Sequence, residues 1–148
     1  MGTLYLLVGL PGSGKTTLGA QLARERGALV LSADEWMSRI VRDGWDAERR
    51  VAVQEVQLEI ALHVAGAGGD VVLDFGFFSR RERASCRARA SARGVTTRTL
   101  YLEAPRDELI RRLAVRNASL PPNTFAVNEA HLDLCIGWFE PPTADELD

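Results

Sequence analysis

The amino-acid sequence predicts an α/β fold in three layers: a small parallel sheet of about four or five strands with helices on both faces. Three observations carry that expectation. Short apolar runs alternate with stretches of helical periodicity along the whole chain. Glycines, prolines and capping residues separate them. The length of 148 residues suits one compact domain, so residues 1–148 are read as a single unit.

The elements follow in order. Thr3 to Val8 (TLYLLV) is a short apolar run bounded by glycines, which reads as a buried strand. Thr16 to Arg26 carries Leu18 and Leu22 at helical spacing and stops at Gly27. Ala28 to Leu31 is a second strand. Ser32-Ala-Asp-Glu35 has the form of a capping box and opens a helix at Ala33 that fades near Asp43-Gly44. Asp46 caps a longer helix over Ala47 to Ala65, ended by Gly66, Gly68 and Gly69. Val71-Val72-Leu73 is a third strand closed by Asp74, and Phe75 to Phe78 is a turn. Ser79-x-x-Glu82 opens an Arg-rich helix that stops at Gly94. Thr97 to Leu102 is the fourth strand. Pro105 suits the start of a helix that runs to about Val115. Residues 117–124, with Pro121-Pro122, form a loop. Asn128 caps a last helix to about Trp138, and a polar tail follows Pro142. Ligands of such sheets bind beyond the C-terminal strand ends.

Composition narrows the function classes. An apolar fraction of 46% and a charged fraction of 26% fit a folded globular chain. No apolar run reaches the roughly 20 residues that span a bilayer, and the N-terminus lacks the basic start of a secretory signal, so a cytoplasmic protein without membrane contact is expected. Cys86 and Cys135 make neither a disulfide scaffold nor a zinc site, and both are expected as buried thiols. The 20 carboxylates outnumber the 18 basic residues, which disfavours a general nucleic-acid binder. Among those basic residues Lys15 is the only lysine.

That lysine sits in Gly9-Leu-Pro-Gly-Ser-Gly-Lys-Thr16, the G-x-x-x-x-G-K-[ST] pattern, placed between a strand and a helix. Such a loop turns backbone N–H groups onto phosphate oxygens, and the next helix adds its positive end. Gly9, Pro11, Gly12, Ser13, Gly14, Lys15, Thr16 and Thr17 are the expected nucleotide-binding residues. Lys15 would reach the β- and γ-phosphates and Thr16 the Mg²⁺, so ATP and Mg²⁺ are the expected cofactors. No guanine-recognition N-K-x-D exists, and Asp74 opens no D-x-x-G.

Two carboxylates follow strand ends. Asp34, after the second strand, suits a base that takes or orients the proton of an attacking hydroxyl. Asp74, ending Val-Val-Leu-Asp, suits a Mg²⁺ ligand. Which of the two is the base stays open, with Asp34 preferred. Arg112 and Arg116 lie four apart on one helix face, before the loop, and suit cations that close over a moving phosphoryl group. The loop near 116–126 is a candidate lid. Of Arg80, Arg81 and Arg83, one is a candidate for facing an acceptor, while most of that helix reads as a solvated face. Trp36, Trp45, Phe75, Phe77 and Phe78 are core or pocket wall. His63 and His131 are read as ordinary helix residues.

GLPGSGKTTLG, LSADEWM, VVLDFGFFSRRERA, LIRRLAVRN and FEPPTADEL together resemble the small bacterial P-loop kinases of the AAA-type ATP-kinase family. That family is related to the kinase domain of bacteriophage polynucleotide kinase, chloramphenicol phosphotransferase, gluconate kinase and zeta toxins. The resemblance implies a P-loop kinase-like fold, Lys15 and Thr16 at ATP and Mg²⁺, Asp34 as base, Asp74 at the acidic position of the third strand, and Arg112 and Arg116 as lid arginines. It departs at Met37, where the polynucleotide kinase has an arginine for the substrate's 3′-phosphate.

The expected function is thus ATP- and Mg²⁺-dependent phosphoryl transfer to a hydroxyl of a small-molecule acceptor. A polynucleotide 5′-hydroxyl kinase or sugar-nucleotide kinase is one alternative, disfavoured by Met37. A nucleotide-binding switch with slow ATP hydrolysis is the other.

Overall fold

A computed structural model of the chain describes residues 1–147, and Asp148 lies outside the described residues. Strands β1 (Thr3–Val8), β2 (Leu29–Ser32), β3 (Val71–Gly76) and β4 (Thr96–Tyr101) form one parallel sheet in the order β2-β3-β1-β4. The helices are α1 (Lys15–Arg26), α2 (Ala33–Trp36), α3 (Ala47–Gly66), α4 (Arg80–Ala92), α5 (Arg106–Ala118) and α6 (Glu129–Trp138). No fifth strand occurs among the described residues.

Alternation along β1 builds the two faces. Leu4, Leu6 and Val8 join Leu31, Val71 and Leu73 on one side, where Leu58, Leu62, Cys86 and Ala90 of α3 and α4 cover them. Tyr5 and Leu7 point the other way, onto Val72 and Leu22 of α1. A third cluster joins α5 to α6 through Leu109, Leu113, Leu132 and Val127. Burying each such leucine contributes about 1.5–3 kcal/mol. The cap residues act as expected. Ser32, Asp46, Ser79 and Asn128 each accept a backbone N–H from the first turn of the helix they open.

Several boundaries differ from the sequence expectation. β3 continues past Asp74 to Gly76, because Asp74 still pairs with Leu7 and Ser32 in the ladder. The turn therefore falls at Phe77, which has a left-handed φ of 50°. After α2 the chain widens into a π-helical turn, Met37–Val41, that ends at Arg42 with φ 64°. α5 runs on to Ala118, so Arg116 and Asn117 belong to a helix and the loop is 119–128. The side-chain amide of Asn117 closes the base of that loop, donating to the Val127 carbonyl at 2.7 Å and accepting its N–H at 3.1 Å.

The Arg-rich helix and the polar tail need the largest correction. Arg83 is 0% exposed. Its Nε donates to Glu146 at 2.9 Å and its Nη1 to the Phe77 carbonyl at 2.7 Å. Glu146 belongs to a short 3-10 turn, Ala144–Glu146, and also receives Arg87. The Glu140 N–H donates to the Phe78 carbonyl at 2.7 Å. The tail is thus strapped across the turn that follows Asp74, and Arg83 faces no acceptor.

Candidate active site

The phosphate-binding loop leaves the C-terminal end of β1, the strand between β3 and β4. A register shift between Leu7 and Val8 breaks the β1–β3 ladder there, and the Gly9 N–H still reaches the Gly76 carbonyl at 3.1 Å. Gly12 and Gly14 take φ of 84° and 102°, the left-handed region that a side chain disfavours. Gly9 is required by space. A Cβ there would lie 2.4 Å from Ser13 Oγ and 2.9 Å from the Leu102 carbonyl oxygen. Gly9→Ala is expected to cost about 1–3 kcal/mol by overpacking. A thermal melt checks this, with an unchanged midpoint as the contrary result.

Lys15 opens α1 and bends back over its own loop. Its Nζ donates to the Gly9 carbonyl at 2.9 Å and to the Leu10 carbonyl at 3.0 Å. Burial pushes the ammonium below its ordinary pKa. The charges of Asp74 and Asp34 oppose that fall, and Arg116 adds to it. The Ser13 hydroxyl is buried without a hydrogen-bond partner inside the loop. Pro11 lies in the loop, and Thr16 and Thr17 are exposed in the first turn of α1.

Asp74 stands beside that turn. Thr16 Oγ1 donates to Asp74 Oδ2 at 3.3 Å. Asp74 is 8% exposed. Burial raises its pKa and Asp34 adds to the rise, while Lys15 and the Thr16 hydroxyl oppose it. A desolvated carboxylate beside a hydroxyl is a hard oxygen pair that fits Mg²⁺ in type. The left-handed glycines, the lysine and the helix end fit a triphosphate in the same way.

Asp34 lies at the same sheet edge, in the first turn of α2. It acts electrostatically on Lys15, Asp74 and Arg116. Its partner was not legible in the sequence: Arg50 of α3 holds Asp34 Oδ1 from Nη1 at 2.7 Å, and its Nη2 donates to the Gly44 carbonyl at 2.9 Å. Arg50 sits among charges at the exposed start of a helix, where nothing local marks it.

The two lid-side arginines reach the site differently. Arg112 Nε donates to Glu108 at 2.8 Å, and its Nη1 donates to the Gly12 carbonyl at 3.3 Å. The buried Nε of Arg116 has no hydrogen-bond partner. Burial lowers the Arg116 pKa, and Asp34 opposes the fall. Structure therefore gathers Lys15, Thr16, Asp34, Asp74, Arg112 and Arg116 around one strand edge.

The remaining residues sort simply. Met37 and Phe77 are buried, and Trp36 and Phe75 pack against the core. Trp45 stacks on His131, with ring centres 4.0 Å apart. Cys86 and Cys135 are buried free thiols, and burial pushes Cys86 up to about 12. Among the described residues no helix is long and apolar enough to cross a membrane.

Comparison with known proteins places the chain by family and fold. The chain is 30% identical over 120 residues to a shikimate kinase of Paracidovorax citrulli, covering 72% of this chain and 59% of that protein. The chain thus spans about three fifths of that relative's length. The crystal structure of APE1195 superposes with a TM-score of 0.71 at 26% identity, over 99% of this chain and 83% of that one. A gluconokinase from Sinorhizobium meliloti 1021 shares the fold, with a TM-score of 0.66 at 17% identity over 97% of this chain and 78% of that one. A family described as AAA domain matches residues 4–142. That span runs from β1 past α6 and takes in every residue of the site, so the protein belongs to this AAA domain family.

Proposed function

We propose that the protein is an ATP- and Mg²⁺-dependent kinase that moves a γ-phosphoryl group to a hydroxyl of a small-molecule acceptor. The observation that carries this reading is the meeting, at one sheet edge, of the Lys15 loop, the Thr16–Asp74 pair and Asp34.

The roles follow from the chemistry of transfer. The acceptor oxygen forms a bond to the γ-phosphorus while the bond to the β-phosphate oxygen breaks. Asp34 takes or orients the hydroxyl proton. Lys15, Arg112 and Arg116 offset charge on the moving phosphoryl oxygens. Thr16 and Asp74 would hold Mg²⁺, which supplies further neutralisation of phosphate charge when bound. The loop glycines with Pro11, Ser13 and Thr17 shape the phosphate cradle. Residues 1–148 act as one kinase domain, with 119–128 as its lid.

Two points support a small acceptor. The similarity to a shikimate kinase gives a precedent for a small hydroxylated substrate. Met37, the position of the polynucleotide kinase's phosphate-binding arginine, is buried and offers no cation. A cytoplasmic location fits the same reading.

The test is ADP formation from MgATP with shikimate, gluconate and a panel of other hydroxyl compounds. Asp34→Ala is expected to lower acceptor-stimulated turnover about 100-fold or more while leaving nucleotide binding intact. Wild-type turnover in Asp34→Ala, with Lys15→Ala inactive, would replace the kinase reading with the slow nucleotide switch.

A further inference from the structure

We infer that Arg50 is the positioning residue of Asp34, and that Phe125 of the 119–128 loop keeps Arg50 in place through Gly44. The inference rests on the kinase reading and adds to it a link between the lid and the acceptor-side carboxylate.

Asp34 needs an orienting partner. Its side chain is 60% exposed, and Arg50, at 26%, is the group seen to pair with it. An exposed carboxylate on a short helix samples several rotamers, and a guanidinium at 2.7 Å selects one of them. Arg50 is itself fixed at its other nitrogen by the Gly44 carbonyl, at 2.9 Å. One planar fork therefore ties the carboxylate to the 42–46 loop.

Gly44 is also the point where the lid lands. A Cβ on Gly44 would lie 2.6 Å from three ring carbons of Phe125, so the ring rests directly on the glycine. Phe125 meets Trp45 edge-on, with ring centres 5.7 Å apart, and Trp45 stacks on His131 of α6. The same loop is closed at its base by Asn117, one helical position after Arg116. A docked lid thus presses on the residue whose carbonyl holds Arg50. Asp34 is set when the lid is down and freed when it lifts.

Gly44 has no left-handed φ, so alanine suits its backbone, and the three atoms nearest to its Cβ all belong to the Phe125 ring. Gly44→Ala therefore displaces the ring without straining the chain, and a smaller residue at 125 removes the conflict.

The experiment measures MgATP turnover, with water alone and with the hydroxyl panel, alongside equilibrium nucleotide binding and thermal melts. Arg50→Ala is expected to lower the turnover number about 10- to 100-fold, the scale of a misplaced catalytic group, with little change in nucleotide affinity. Adding it to Asp34→Asn is expected to change turnover by less than about twofold, because both act on one carboxylate. Gly44→Ala is expected to match Arg50→Ala in direction, and Phe125→Leu in the Gly44→Ala background is expected to restore most of the loss. Additive effects of Arg50→Ala and Asp34→Asn would overturn the positioning role. A Gly44→Ala protein with normal turnover, or one that Phe125→Leu does not rescue, would overturn the lid link. Failure of the kinase reading is separate: Asp34→Ala would then keep the turnover of the wild type while Lys15→Ala loses it.

Discussion

Lys15→Ala is expected to lower MgATP turnover by about 100- to 1,000-fold, the cost of removing one preorganised group aimed at transition-state charge. Lys15 is the only lysine of the chain, so no neighbouring ammonium substitutes for it. Its Nζ already lies within the loop, held by the Gly9 and Leu10 carbonyls. A phosphate entering the loop meets an ammonium that needs only to exchange carbonyl partners for phosphate oxygens. Arg112 is poorly placed to compensate, since it is engaged with Glu108 and Gly12. The loss should appear in nucleotide affinity as well as in turnover, because the same charge serves the bound and the reacting phosphates. The melt should move far less than the rate. A folded variant with wild-type nucleotide affinity would show that the loop binds no phosphate.

Glu146→Ala is expected to give the largest loss of stability of any single substitution in the tail, about 3–5 kcal/mol, as for a buried ion pair robbed of one member. The Glu146 side chain is 2% exposed and that of Arg83 is 0% exposed. Without the carboxylate, Arg83 stays buried with only the Phe77 carbonyl to satisfy it, and Arg87 loses its partner too. The melting temperature should fall by about 10 °C or more. Replacing both members, Arg83→Met with Glu146→Leu, should cost less than Glu146→Ala alone, since no orphaned charge remains between them.

The same carboxylate gives a pH dependence. Hydrogen bonds from Arg83 hold Glu146 down at about 2, below the ordinary carboxylate value of 4.5. A depressed carboxylate stabilises the fold fully above its unfolded pKa, and that contribution is lost as pH falls toward the folded value. Wild-type stability should therefore drop between about pH 4.5 and 2, and Glu146→Ala should flatten that part of the curve. Parallel curves for the two proteins would be the contrary result.

What the sequence made legible was local. The loop from Gly9 to Thr16 is written in consecutive residues of one motif, so spacing alone located it. Asp34 and Asp74 were legible because apolar runs mark strand ends, and strand ends of parallel sheets share an edge. Arg83 was not, because its partner lies 63 residues away and no periodicity links them. A lone arginine in an Arg-rich helix reads as solvated, and only tertiary packing reverses that. Arg50 was missed for the same reason, since its tie to Asp34 depends on how α3 returns past the start of α2. The end of α5 was misplaced because Asn117, a weak helix former, is held in the helix by its bonds to Val127.

The most direct measurement of the central claim follows the γ-phosphorus itself. ATP carrying a labelled γ-phosphate would be incubated with the protein, Mg²⁺ and the hydroxyl panel, and the products separated. A kinase places the label in a phosphate ester of one acceptor, and Asp34→Ala removes that product while nucleotide binding persists. Label found solely as inorganic phosphate, released at a rate that Asp34→Ala leaves unchanged, would contradict phosphoryl transfer as the work of this site.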